Sequence, residues 1–298
     1  MRQEKYDMTG LPGTPSPLQL PSRETIGSLA RAAGELTQTF FRRQIKIDEK
    51  EGDLGLVTEA DLASETYLKA EISKLFPEHR VLGEESGWSN GGSSEGPREG
   101  DVVWILDPID GTTNFSKGNV FHCISVACGR INGGKFVCER AAIYQPALAD
   151  LYTASRGGGA FVNEQPMNVN AGSEVRRWSI VTGFSSNKGS SLHGVIRCIE
   201  TLQNQILGTR INGAAALDLA LTARGIFNGF FESRLSPWDM AAGDLLVREA
   251  GGKTTNYEGQ VFDVLNDKHI VAGPAHVVDF LLNTLNSLRP ELKDTSWP

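Results

Sequence analysis

Apolar residues recur at helical spacing soon after the N-terminus. Ile26, Leu29, Ala33, Leu36 and Phe40 share one face and predict the first helix. A second helix is predicted from Thr58, where Thr58-x-x-Asp61 is a capping-box pattern and Leu68, Ile72, Leu75 and Phe76 form an apolar stripe behind it. Asp61 precedes Leu68, Ile72 and Leu75 by near-multiples of the helical repeat, which puts its carboxylate on the buried side. The run VVWIL at 102–106 is short, β-rich and wholly apolar, as a buried strand is. Further strands are predicted near 121–129, 135–144 and 150–155, with a turn at Gly157–Gly159, so the middle of the chain reads as a meandering sheet. Beyond residue 177 the pattern changes. Strand-like SIVTGF, FNGFF and HIVAGP alternate with helical stretches near 190–206, 214–223, 237–250 and 276–287, the alternation of an α/β lobe.

Residues 1–23 hold Gly10, Pro12, Gly13, Pro15, Pro17 and Pro21 and no apolar run of signal-peptide length, so they read as a flexible tail. The segment 87–101 is a Gly/Ser-rich stretch without periodicity and reads as a surface loop. These breaks divide the chain into the tail 1–23, an α+β lobe over 24–176 and an α/β lobe over 177–298. A chain of 298 residues buries roughly 74% of its extended surface on folding, enough for a core that needs no structural metal. With 40% hydrophobic and 22% charged residues, wholesale disorder is excluded. No run approaches the ~20 apolar residues of a membrane helix. The net charge of −7 gives no support to direct nucleic-acid binding. Cys123, Cys128, Cys138 and Cys198 lack paired spacing and read as reduced packing residues of a cytoplasmic protein.

Three acidic clusters sit where elements start or stop. Asp107-Pro108-Ile109-Asp110-Gly111-Thr112-Thr113 follows the VVWIL strand directly, where α/β proteins place ligands. Two carboxylates beside the free amides of a helix start conflict unless a cation lies between them, and Mg²⁺ would resolve the conflict by holding a phosphate oxygen. An acidic turn with threonine caps is the plainer alternative. Gly83-Glu84-Glu85-Ser86 is the second cluster, and on its own it is equally a solvated loop. In the third, Ser236-Pro237-Trp238-Asp239, Asp239 suits either a capping box or a metal ligand. Asp61 needs a partner or a metal if it is buried, and the Thr58 amide could be that partner.

WILDPIDGTTNF at 104–115, GEES at 83–86 and WDMAAGDLLVREAGG at 238–252 resemble the inositol monophosphatase family, in the expected order from about Ile26 to about Leu288. The resemblance implies a layered αβαβα sandwich shared with fructose-1,6-bisphosphatase, a homodimer, and a Mg²⁺-dependent, lithium-sensitive phosphatase with two or three ions per site. It implies that Glu84, Asp107 and the carbonyl of Ile109 bind the first ion, and Asp107, Asp110 and Asp239 the second. Glu84 would help hold a third. Asp61 and Thr112 match the residues that hold and polarise an attacking water, with Glu84 assisting. Substrate phosphate would meet the amides of Gly111 and Thr112, and the polyol would meet Asp110, Gly213, Ala215, Glu232 and Asp239. Lys50 falls near a basic position on the loop before Val57. Arg234 stands where many relatives carry glycine and could add charge to the substrate rim.

The implied reaction is hydrolysis of inositol monophosphate or a related small sugar phosphate by direct water attack. Fructose-1,6-bisphosphate, histidinol phosphate and nucleotide 3′-phosphates are competing substrates, the last weakened because those relatives tend to carry lysine where Thr113 stands. A regulatory role as a partner of the transcription machinery is the non-enzymatic alternative.

Overall fold

The computed structural model describes residues 19–50, 55–89, 96–184 and 191–288. Most of the tail expected over 1–23 and the centre of the 87–101 segment lie outside them. Helix α1 (Arg23–Gln38) starts at Ser22, whose hydroxyl accepts the Thr25 amide at 3.1 Å. A short hairpin of β1 (Ile47–Glu49) and β2 (Leu56–Thr58) leads into α2 (Glu59–Leu75). Then come β3 (Arg80–Gly83), β4 (Gly87–Ser89), β5 (Val102–Asp110) and the five-residue α3 (Thr112–Ser116). The meander follows as β6 (Cys123–Asn132), β7 (Lys135–Gln145), β8 (Asp150–Ser155), β9 (Gly159–Val162) and β10 (Gln165–Pro166). These pair in the order β10-β9-β8-β7-β6-β5-β3-β4, with β3 and β5 parallel.

The rest of the chain forms a second sheet with its helices. In order these are β11 (Ser179–Thr182), α4 (Ser191–Gln203), β12 (Gly208–Ile211), α5 (Ala215–Ala223) and β13 (Gly229–Ser233). They are followed by α6 (Pro237–Glu249), β14 (Lys253–Thr255), β15 (His269–Gly273) and α7 (Ala275–Leu288). The sheet runs β12-β11-β13-β15-β14, with β11, β12 and β13 mutually parallel in direction. Five layers result: α1 and α2, the eight-stranded sheet, α5 and α6, the five-stranded sheet, then α4 and α7. This is the expected αβαβα sandwich.

Strand alternation divides the large sheet cleanly between two cores. Val102, Trp104 and Leu106 of β5 face α1 and α2, whereas Val103 and Ile105 face α5 and α6. Both faces are covered, which is why VVWIL shows no polar alternation.

Four local readings change. The strand beginning with VVWIL runs on through Asp110, so the DPID motif belongs to a strand and not to the turn after it. Residues 87–89 pair with β3 as an antiparallel edge strand, so the loop starts later than its glycines suggest. The strand read as FNGFF spans Gly229–Ser233, because the Asn228 side chain and amide are engaged with Ser179 and Glu232 pairs with Ile270. Leu75 is exposed, since α2 ends there and the chain turns at Phe76, which fills the core instead.

The middle layer is tightly closed. A Cβ added at Gly243 of α6 would lie 2.5 Å from Cβ and Cδ1 of Leu219 on α5. Gly243→Ala is therefore expected to lower unfolding stability by about 1–3 kcal/mol, read from urea denaturation. An unchanged urea midpoint would mean that the two helices separate at no cost.

Candidate metal centre

The strand β5 must deliver two carboxylates to one side, and alternation alone forbids it for residues three apart. Asp107 pairs with Ser125 and Asp110 with Cys123, so three steps on β5 oppose two on β6. This irregularity inserts one extra residue at Pro108–Ile109 and re-aims Asp110 to the face that Asp107 already occupies. Ile109 turns the other way, into the core under α1 and α2. A third carboxylate arrives from α6. Ligand oxygens of Asp107, Asp110 and Asp239 all lie within 4.8 Å of one another.

Each carboxylate is held by backbone as well as aimed. Asp110 Oδ2 accepts the Leu217 amide in the first turn of α5 at 3.0 Å and the Cys123 thiol at 3.4 Å. Asp239 Oδ2 accepts the Ser236 amide at 2.7 Å. The capping and cluster readings of Asp239 thus hold together, because capping occupies one oxygen. Glu84 follows β3, its amide donating to Leu106 at 3.2 Å, and its side chain is in hydrogen-bonding contact with Asp107. Lys50 donates to Glu84 at 2.7 Å and to Glu85 at 2.8 Å.

Electrostatics show what this arrangement lacks. Burial, then repulsion from Glu84, Asp110 and Asp239, pushes Asp107 well above the usual carboxylate range. Burial raises Asp110 to about 6 against the pull of the Leu217 amide, and Asp239 to about 7 against that of Ser236. Glu84 rises to about 6 through burial, which the neighbouring Lys50 only partly offsets. Asp107 Oδ1 is buried without a hydrogen-bond partner among the described residues. Hard, crowded carboxylate oxygens with one orphaned acceptor fit a divalent cation.

Asp61 and Thr112 stand beside this cluster. Asp61 is buried at the start of α2, where Oδ2 accepts the Thr58 amide at 2.8 Å and the Thr58 hydroxyl at 2.5 Å. Its other oxygen accepts the Thr112 hydroxyl at 3.0 Å, a hydroxyl that also lies 3.0 Å from the Ile109 carbonyl. Burial raises the Asp61 pKa, with the Thr58 and Thr112 hydrogen bonds opposing. Gly111 has φ +87°, and a Cβ there would meet Ala214 Cβ and the Phe121 carbonyl, both at 3.1 Å. Its neighbours Gly213 and Ala215 are thereby brought close. Asn114 ties the same region together, donating to Phe121 and Asn212 carbonyls at 2.8 Å each.

Glu232 lies buried on β13 with its carboxylate against Gly183, and burial with Asp218 and Asp239 nearby raises its pKa strongly. Arg234 follows in a left-handed conformation, φ +61°, the backbone shape that favours glycine. The ends of β5, β11, β12 and β13, and the starts of α5 and α6, therefore converge on one place.

Sequence reading missed Ser64, Glu65, Cys123 and Asp218. Ser64 donates to the Pro108 carbonyl at 3.0 Å, and Asp218 accepts from Asn212 at 2.8 Å. Glu65 lies one helical turn after Asp61, on the stripe that ends in Leu68 and Ile72, and this spacing was the available signal.

The sequence profile of the inositol monophosphatase family matches residues 21–289. The chain is 39% identical over 272 residues to the Nus factor SuhB of Pseudomonas aeruginosa, covering 89% of this chain and 96% of that protein. Among solved structures, the IMPase of Thermotoga maritima has a TM-score of 0.78 at 28% identity, covering 89% of this chain and 97% of that one. An IMPase/NADP phosphatase complexed with Mg²⁺ and phosphate has a TM-score of 0.70 at 26% identity, covering 85% and 91%. Agreement in profile, sequence and layer order over nearly its full described length makes this chain a member of the inositol monophosphatase family.

Proposed function

We propose that the chain is a Mg²⁺-dependent phosphomonoesterase acting on inositol monophosphate or a related small sugar phosphate. The observation that carries this reading is the meeting of Glu84, Asp107, Asp110 and Asp239 around an unpaired, buried carboxylate oxygen. These four and the Ile109 carbonyl would hold two or three ions. Bound Mg²⁺ supplies a Lewis acid for phosphate oxygens and lowers the pKa of water.

The chain's own groups do the remaining work. The Thr112 hydroxyl donates to Asp61, so its oxygen is left to accept a hydrogen bond from an attacking water and to orient it. Asp61, raised above an ordinary carboxylate by burial, and Glu84 are the candidate acceptors for the water's proton. Amides of Gly111 and Thr112, at the start of α3, would donate to phosphate oxygens. Asp110, Gly213, Ala215, Glu232 and Asp239 would meet the polyol, with Arg234 adding charge at its rim. Fructose-1,6-bisphosphate, histidinol phosphate and nucleotide 3′-phosphates belong in the same substrate screen.

A second reading draws on the relatives named Nus factor SuhB, in Pseudomonas aeruginosa and Escherichia coli among others. It gives this chain a regulatory association with transcription machinery, alongside or in place of hydrolysis. The acidic balance offers no direct surface for nucleic acid, so a protein component is the partner this reading favours. No helix among the described residues is long and apolar enough to cross a membrane. Recovery of RNA polymerase components on the immobilised chain, with hydrolysis absent, would favour the regulatory reading.

Two tests bear on the enzyme. Purified protein is expected to release phosphate from inositol monophosphate with Mg²⁺ and to stop after exhaustive chelation. Release that persists without metal would refute the metal assignment. Asp107→Asn is expected to cut kcat/KM by at least a hundredfold, or ~2.7 kcal/mol of barrier. The same change removes one of four mutually repelling carboxylates, so the metal-free melting temperature should hold or rise while the stabilisation by Mg²⁺ disappears. Activity retained within about tenfold, ~1.4 kcal/mol, would move the chemistry away from β5.

A further inference from the structure

Glu84 is the one member of the cluster carried on a turn. Asp107 and Asp110 are fixed by sheet pairing and Asp239 by its helix start, whereas residues 84–86 bridge β3 and β4 outside the ladder. Something must hold that turn, because a carboxylate displaced by about 1 Å no longer shares an ion with its neighbours. The Glu84 amide bond to Leu106 fixes only the first residue.

Lys50 grips the Glu84 and Glu85 carboxylates from the β1–β2 hairpin, and the hold on the Glu85 amide and the Ser86 hydroxyl comes from α2. Glu65 is buried, and its two oxygens take the next two groups of the turn: Oε2 accepts the Glu85 amide at 2.8 Å, and Oε1 accepts the Ser86 hydroxyl. Lys69, one helical turn later, donates to the same Ser86 oxygen at 2.7 Å. Asp61, Glu65 and Lys69 thus form an i, i+4, i+8 line on one helix. Asp61 reaches Thr112 beyond the end of β5, and Ser64 reaches the Pro108 carbonyl within that strand. One rigid helix therefore gauges the distance between the Glu84 turn and the irregular end of β5. Gly83 completes the fit, since a Cβ there would lie 2.5 Å from the Glu65 carboxyl carbon and 2.6–2.7 Å from its oxygens.

We propose that Glu65 is a positioning residue for the metal centre: it clamps the 84–86 turn to α2, and Gly83 is required to make room for that clamp. This rests on the reading of the carboxylate cluster as a Mg²⁺ site.

The test measures Mg²⁺ binding by calorimetry on the full chain, with folding monitored by circular dichroism. Glu65→Ala is expected to weaken Mg²⁺ binding tenfold to a hundredfold, as lost outer-sphere partners do. Glu65→Gln keeps an acceptor for the Glu85 amide and should bind within about threefold of the parent, well short of the alanine loss. Gly83→Ala should weaken binding in the parent but have little further effect in a Glu65→Ala background, where no carboxylate remains to strike. A role confined to stability would lower melting temperatures without this pattern in affinity. If Glu65→Ala fails to fold, Gly83→Ala decides: unaltered Mg²⁺ affinity in that variant overturns the proposal. A parent chain that binds Mg²⁺ while Glu65→Ala binds it equally well overturns the clamp alone. A parent that binds none overturns the metal reading and the clamp with it.

Discussion

Carboxylates crowded at the end of β5 repel one another, and the surrounding architecture exists around that repulsion. Oxygens within 4.8 Å carry a mutual cost of about 3–4 kcal/mol per ionised pair at an effective dielectric near ~20. Burial raises the cost, because each charge also loses water. Such a cluster must take up protons or a cation. The raised pKa values of Asp107, Asp110, Asp239 and Glu84 express the first option, and the oxygen geometry suits the second.

The scaffold manages the strain by supplying dipoles in place of full charges. The first turn of α5 gives an amide to Asp110, and the start of α6 gives one to Asp239. Each bond satisfies one carboxylate oxygen without adding a full charge. Lys50 brings the cation that faces Glu84, from a hairpin that belongs to neither main sheet. The layer order explains why this works. Helices α5 and α6 lie between the two sheets, so their starts can meet the ends of strands from both.

Much of this was legible in the sequence wherever one interaction dominated locally. The capping box at Thr58, the buried aspect of Asp61 and the continuous apolar run of VVWIL each follow from a single periodicity, and each is present. The five layers followed from motif order and resemblance. What stayed hidden depends on pairing between segments far apart. No local pattern shows that β5 continues through Pro108, because the extra residue is defined only against Ser125 and Cys123 on β6. Glu65 offers only its spacing from Asp61 and the apolar stripe as a signal, since its partners lie twenty residues away across the sheet edge. The apolar run FNGFF stops two residues short of the end of β13, because the buried polar residues Glu232 and Ser233 close the strand and interrupt the hydrophobic signal.

The irregularity in β5 makes chain length at this point as constrained as chemistry. Parity decides which core a strand residue enters, and the extra residue between Asp107 and Asp110 reverses that parity once. Deleting a residue here would not shorten a loop. It would rotate the second carboxylate away from the cluster and into the apolar layer beneath α1 and α2, where Ile109 now sits. Replacement of the Ile109 side chain by another hydrophobe preserves parity, whereas any single insertion or deletion inverts it. Sequence drift in this segment is therefore confined to substitution, and the four residues from Asp107 to Asp110 behave as a unit of fixed length.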